Sequence, residues 1–152
     1  MKETLGVDFD GVLRKFPGYV KRYIDFYSPH DLLVRANLKW LRWRILHLCI
    51  DGTPLIMDNE VINAVNKWKG RKVLISGRIG TKHHREALEA IKGLVKFDNA
   101  YFRQSNKEYE EKFKERILKR EKVNVYIEDR TFVIQYLRKK LPKVEIIDRD
   151  RI

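Results

Sequence analysis

The chain has 152 residues, 43% of them hydrophobic and 11% aromatic, which suits one globular domain able to bury about 68–70% of its unfolded surface. Cys49 is the only cysteine, which excludes an internal disulfide framework and a cysteine-built metal site and fits a reducing, cytoplasmic setting. The net charge of +12 and the sequence pI near 9.8 favour polyanionic partners: nucleic acid, an anionic membrane surface or phosphorylated substrates. The alternative is a Lys- and Glu-rich surface of the thermophile kind. Acidic residues precede any apolar run in "MKETLGVDFD", so no secretory signal is expected.

The first apolar run, "TLGVDF" over 4–9, reads as a strand and carries Asp8 and Asp10 at its carboxyl end, with Gly11 directly after. Strand side chains alternate, so the two carboxylates are expected on one face. Like charges that close persist where a cation sits between them, or where one carboxylate attacks while the other carries a proton. A long insertion follows, residues 14–57, with "YVKRYIDFYS" and "DLLVRANLKWLRWRILHLCID". On a helical wheel the second piece sets Arg35, Lys39 and Arg42 in one stripe among apolar residues. That pattern predicts a helical cap packed on the core. It is too charged to span a bilayer, although a membrane-surface helix anchored by Trp40 and Trp43, or a dimer contact, is an alternative. His30 reads as a turn residue and His47 as packed.

After the helix "DNEVINAVNKWKG", the run "KVLIS" predicts a strand over 72–76 whose tip bears Ser76, Gly77 and Arg78, a hydroxyl and a guanidinium where a phosphate can be held. "TKHHREALEAIKGL" has helical spacing, with His83 and His84 expected to be solvated or capping. The strand "NAYF" over 99–102 leads into Arg103, and "NKEYEEKFKERILKRE" predicts a helix offering Lys112 and Lys114. "NVYI" over 124–127 ends in Glu128, Asp129 and Arg130, acidic oxygens suited to a hard divalent ion. "RTFVIQYLRKKL" and "VEII" over 144–147 complete the pattern. Strict alternation of strand and helix implies right-handed βαβ units, a central parallel sheet and helices on both faces, with the active site beyond the carboxyl ends of the strands. No internal repeat or low-complexity linker interrupts it. The chain is expected to form a single domain over 1–152.

In that order "DFDGVL", "LISGR", a helical lysine and "IEDR" resemble the four signatures of the haloacid dehalogenase (HAD) superfamily of phosphotransferases. Within it the chain is similar to the 3′-phosphatase domain of phage polynucleotide kinase and its bacterial relatives, through "VLISGRIGTK", "YIEDRTFVIQYLRKK" and Arg103 ahead of the lysine helix. The likeness covers residues 1–13 and about 60–148 and leaves the insertion out. Glu128 departs from it, standing where the phage-type domain has aspartate. No Gly-x-x-x-x-Gly-Lys-[Ser/Thr] loop is present, so no kinase half is expected.

The resemblance implies a HAD-like Rossmannoid three-layer fold and a Mg2+-dependent phosphatase. Asp8 is then the nucleophile that forms an aspartyl-phosphate, and Asp10 the general acid and base. It implies magnesium held by Asp8, the Asp10 backbone carbonyl and Asp129, with Glu128 reaching the ion directly or through water. Ser76 and a lysine hold the phosphoryl oxygens. Lys114 is preferred to Lys112 because it directly follows Phe113, which pairs with Ile117 at helical spacing. Gly77, Arg78, Arg103 and Arg130 are expected around the substrate, surface ion pairing being the alternative for the arginines. The expected substrate is a phosphorylated nucleic-acid end. The alternatives are a small phosphorylated metabolite or nucleotide closed under the cap, or a basic binding module with an unused catalytic motif.

Overall fold

The computed structural model describes residues 2–16 and 55–152. Its elements in chain order are β1 (Thr4–Val7), β2 (Arg14–Lys15), β3 (Ile56–Met57), α1 (Asn59–Lys67), β4 (Arg71–Ser76) and α2 (Thr81–Ile91). They continue with β5 (Asn99–Phe102), α3 (Glu110–Arg120), β6 (Val125–Glu128), α4 (Thr131–Lys140) and β7 (Glu145–Asp148), closed by a 3₁₀ turn over Arg149–Arg151.

Five strands form one parallel sheet in the order β5-β4-β1-β6-β7. Covered on both faces, its central strands β1, β4 and β6 are largely buried on both sides, while the edge strands β5 and β7 are partly exposed. All four residues of β1 are buried. Period two still decides which layer each side chain enters. Leu5, Val7, Leu74, Val125 and Ile127 join the core under α1 and α2. Val73, Ile75, Tyr126 and Ile146 join the core under α3 and α4. Gly6 faces this second core, and it is glycine for a steric reason: a Cβ there would lie 2.9 Å from Cδ2 of the Tyr126 ring.

Helix spacing matches these cores. Asp58 caps α1, its carboxylate accepting from the amides of Glu60 and Val61 at 3.1 and 3.4 Å. Val61, Ile62 and Val65 of α1 and Ala87 and Ile91 of α2 face one core, while Phe113, Ile117, Val133, Ile134 and Leu137 face the other. The chain winds outward through β1, β4 and β5, then returns to β6 and β7 on the opposite side of β1. The switch point lies between β1 and β6, where open parallel sheets place their ligands.

Two expectations are corrected. The first strand ends at Val7 instead of Phe9, because the chain turns there: the amide of Arg14 donates to the Phe9 carbonyl at 2.9 Å and that of Gly11 to the Arg14 carbonyl at 2.9 Å. Asp8 therefore follows the strand directly, its amide still bonded to β6, while Asp10 lies within the turn and bridges to Arg14, so strand alternation does not relate the two. The ends of the 14–57 insertion are not helical. Arg14 and Lys15 pair antiparallel with Met57 and Ile56, so the chain leaves and rejoins the domain side by side. The expected cap helix, with Arg35, Lys39, Trp40, Arg42 and Trp43, lies outside the described residues. Among the described residues no helix is long and apolar enough to cross a membrane.

Candidate active site

Every candidate residue lies at or just beyond the carboxyl end of a strand, or in the first turns of α3. Asp8 follows β1, and its amide still donates to the Ile127 carbonyl of β6 at 3.1 Å. It is buried, and its Oδ1 accepts from the Phe9 amide at 2.8 Å. Glu128 closes β6 and Asp129 follows it, both buried. One carboxylate oxygen each from Asp8, Glu128 and Asp129 lie within 4.8 Å of one another. Gly11 makes room for this approach. Its φ of +79° suits glycine, and a Cβ there would land 1.9 Å from Oδ2 of Asp129.

Lys114 enters from α3 and is fully buried. Its Nζ lies 2.6 Å from Glu128 Oε2, 2.7 Å from Glu110 Oε1 and 3.2 Å from Asp8 Oδ2. Lys112, the alternative, is exposed, with its ammonium 5.3 Å from the centre of the Tyr136 ring. Glu110 also accepts from Arg130, so it couples the lysine helix to the end of β6. Glu128 is more fully used than a free metal ligand. Its Oε1 accepts from the amides of Asp129 and Arg130 at 3.1 and 3.2 Å, and its Oε2 accepts from Lys114 and from the Tyr126 hydroxyl at 3.2 Å. Direct coordination of an ion by Glu128 would compete with these donors. Asp129 is different: its buried Oδ1 has no hydrogen-bond partner.

The nest holds four carboxyl groups against Lys114 and Arg130. Burial pushes the Asp8 carboxyl well above its usual range; Lys114 opposes this, while Glu128, Glu110 and Asp129 add to it. Burial, with Glu128 next, likewise raises Asp129. Burial would also raise Glu110, but Lys114, Arg130 and Arg103 together hold it well below the usual carboxylate range. Burial works against the Lys114 ammonium, but Asp8, Glu110 and Glu128 keep it firmly charged. Negative charge is in surplus here, in a set of oxygen donors that suits a hard cation.

Asp10 occupies the other side of the site, its side chain 20% exposed. Arg78 grips it with a fork, Nε to Oδ2 at 2.7 Å and Nη2 to Oδ1 at 2.9 Å, and Arg14 adds a contact at 3.4 Å. Arg78 is thus no surface ion pair. It is buried, lies over the Phe9 ring and donates from Nη1 to the His83 carbonyl at 3.0 Å. Ser76 is buried, and its Oγ accepts from the Arg78 amide at 3.2 Å. Arg103 is buried and braces two carbonyls, those of Gly77 and Glu108, each at 3.1 Å. Gly77 lies against Glu110, whose Oε1 would be 2.7 Å from a Cβ. His83 and His84 differ from expectation, while His30 and His47 lie outside the described residues. His83 is buried because it takes the inward position of α2 four residues before Ala87, and His84 contacts the Arg78 carbonyl at 2.8 Å while stacking on Phe102.

Glu110, Tyr126 and Arg14 were not singled out from the sequence. Each had a signal in its spacing: Glu110 lies one helical turn before Lys114, Tyr126 is two strand positions before Glu128, and Arg14 is four residues after Asp10.

No protein-family model matches the chain, and no curated protein does. Solved structures similar to it include the Pnkp1/Rnl/Hen1 RNA repair complex, at a TM-score of 0.61 and 18% identity, covering 97% of this chain and 42% of the matched one. A second structure of the Pnkp1/Rnl/Hen1 complex matches at a TM-score of 0.62 and 18% identity, covering 97% and 46%. The chain therefore spans less than half the length of these matched chains, and what it shares with them is an α/β fold around a parallel sheet.

Proposed function

We propose that the chain is a Mg2+-dependent phosphomonoesterase of the HAD type that removes phosphate from nucleic-acid ends, 3′-phosphates foremost. One observation carries the reading: oxygens of Asp8, Glu128 and Asp129 converge within 4.8 Å at the switch point of the sheet, with Lys114 buried among them. The orphaned Asp129 Oδ1 and the surplus of buried carboxyls support a divalent cation held by Asp8 and Asp129, with Glu128 spent mainly on Lys114. Bound there, magnesium would offset the repulsion between the Asp8 carboxylate and an anionic phosphate.

The reaction on this reading has two displacements. A carboxylate oxygen of Asp8 attacks phosphorus, the bond from phosphorus to the substrate's ester oxygen breaks, and Asp10 gives that oxygen its proton. Water then attacks the aspartyl-phosphate, Asp10 takes the water's proton, and the bond from the Asp8 oxygen to phosphorus breaks. Lys114 stands beside Asp8, where it can hold a phosphoryl oxygen as charge gathers on it. Arg78 must loosen its fork when Asp10 carries a proton. The nucleic-acid part rests on the net charge of +12 and on the likeness to chains of an RNA repair complex.

The test is phosphate release from p-nitrophenyl phosphate with and without Mg2+, then from oligonucleotides phosphorylated at the 3′ or 5′ end and from mononucleotides. Mg2+-dependent turnover is expected, fastest on the 3′-phosphorylated oligonucleotide and reduced by at least about 10⁴-fold in Asp8→Asn. Activity that survives Asp8→Asn rules out the aspartyl-phosphate. Equal rates on every ester remove the nucleic-acid assignment and favour a small phosphorylated metabolite.

A further inference from the structure

The two helical layers differ in charge in a way the net charge conceals. Residues 107–143, which include α3 and α4, contain twelve lysines and arginines, of which only Lys114 and Arg130 are buried; the other ten are exposed. The same stretch has seven carboxylates, and none is exposed. Glu110 and Glu128 are drawn inward to Lys114, and Glu115 accepts from the Tyr136 hydroxyl at 2.6 Å; Glu108 and Glu115 also pair with the exposed Arg116 and Lys119, while Lys112, Lys139 and Lys140 have no carboxylate within salt-bridge distance among the described residues. Over residues 59–98, which include α1 and α2, six exposed cations are interspersed with the exposed acids Glu60, Glu89 and Asp98.

We infer that the α3/α4 face binds the phosphodiester backbone of the nucleic-acid strand whose end enters the site, an inference that rests on the proposed function above. The charge complementarity is that of a polyanion track. Tyr136 links the two helices on this face, with the ammonium groups of Lys112 and Lys140 lying 5.3 and 5.9 Å from its ring centroid. Aromatic and cationic groups set side by side on a surface are the usual means of holding a strand without reading its sequence. The face is built on the same helix that sends Lys114 inward to the site, with Lys112 on its outer side. A membrane surface fits less well: it asks for large apolar side chains to enter the lipid, and Tyr109 is the one exposed large hydrophobic residue of this stretch.

The experiment compares two triple charge reversals that change net charge equally. Lys112→Glu/Lys139→Glu/Lys140→Glu lies on the α3/α4 face, and Lys67→Glu/Lys92→Glu/Lys96→Glu on the other. The probe is a fluorescein-labelled, unphosphorylated single-stranded oligonucleotide, its affinity followed by anisotropy over a sodium chloride series. The α3/α4 triple should lose about tenfold or more in affinity near 0.1 M salt and about two units of the salt slope, with the control triple close to wild type. The matching triple to glutamine, which removes half as much charge, should lose about half as much on a logarithmic scale and guards against a folding defect. Equal loss in both reversals overturns the inference, as does unchanged binding in the α3/α4 triple. So does a loss confined to phosphatidylserine vesicles. Turnover of p-nitrophenyl phosphate separates the two proposals: no turnover in wild type sinks the phosphatase reading, while the binding contrast would still uphold the surface.

Discussion

Asp8 and Asp10 are two residues apart in the chain, yet their surroundings are opposite. Asp8 sits in a nest of four carboxyls, one lysine and Arg130, where burial and like charge press its carboxyl toward the neutral form. Asp10 is 20% exposed and faces arginine, with both oxygens taken by Arg78 and one also by Arg14. The start of one turn thus separates a carboxyl among carboxyls from one already supplied with cations. On the proposed function, the difference would suit a division of labour between a metal-assisted nucleophile and a proton carrier. It also shows that charge balance is local: a chain with a net charge of +12 keeps a negative surplus at its centre.

The comparison breaks most severely at Lys114. Lys114→Met leaves Asp8, Glu110 and Glu128 buried without their ammonium, so the variant should lose about 3–5 kcal/mol of stability and about 10²–10³-fold in kcat. Chemical denaturation, with turnover measured where circular dichroism shows the variant folded, checks both. Near wild-type stability would mean that the nest does not depend on this lysine.

On the other side, Arg78→Gln should cost less, because water can reach the carboxylate that the guanidinium leaves. A loss of about 1.5–3 kcal/mol is expected. Turnover should fall more for an alkyl phosphate or an oligonucleotide end than for p-nitrophenyl phosphate, whose leaving group needs little help from a proton. An equal fall for both would detach Arg78 from proton transfer.

Asp129→Asn gives the smallest and most diagnostic stability effect. The Asp129 carboxyl is raised above its ordinary 3.8 by burial and then Glu128, so in metal-free protein the folded state resists losing a proton that the unfolded chain gives up. That penalty is absent below pH 3.8, grows as pH rises toward the raised value and is complete above it. At neutral pH without metal the variant should therefore have the higher Tm, with the gain fading as pH falls toward 3.8. Added Mg2+ should raise the Tm of wild type and leave the variant unchanged. A variant that still responds to Mg2+ would put the ion elsewhere.

Several features of this arrangement were legible in the residues. The apolar runs at 72–76, 99–102, 124–127 and 144–147 lie within about one residue of strands β4 to β7. Buried parallel strands leave so clear a signal because both faces must be apolar. The spacing of Phe113 and Ile117 sets the inward face of α3, and the lysine beside it that reaches the carboxylates is Lys114. Ser76, Arg78, Glu128 and Asp129 were marked by their position after an apolar run. The turn after Val7 was not legible, since no local pattern distinguishes it from two more strand residues. Glu110 also escaped notice: an acid in the first turn of a helix has a sufficient local explanation as a partner for the helix dipole.

The sequence by itself determined the parallel sheet, the faces of its helices and the strand ends that carry polar groups, because hydrophobic period is a property of consecutive residues. Only the tertiary structure decided which charges meet. That Glu128 is spent on Lys114 and Tyr126, that Arg78 grips Asp10, and that an oxygen of Asp129 is left over depends on strands β1, β4 and β6 and helix α3 coming together. Arg78 and Asp10, and Lys114 and Asp8, are far apart in the chain, and which buried charge meets which is set by neighbours that mostly lie on other elements.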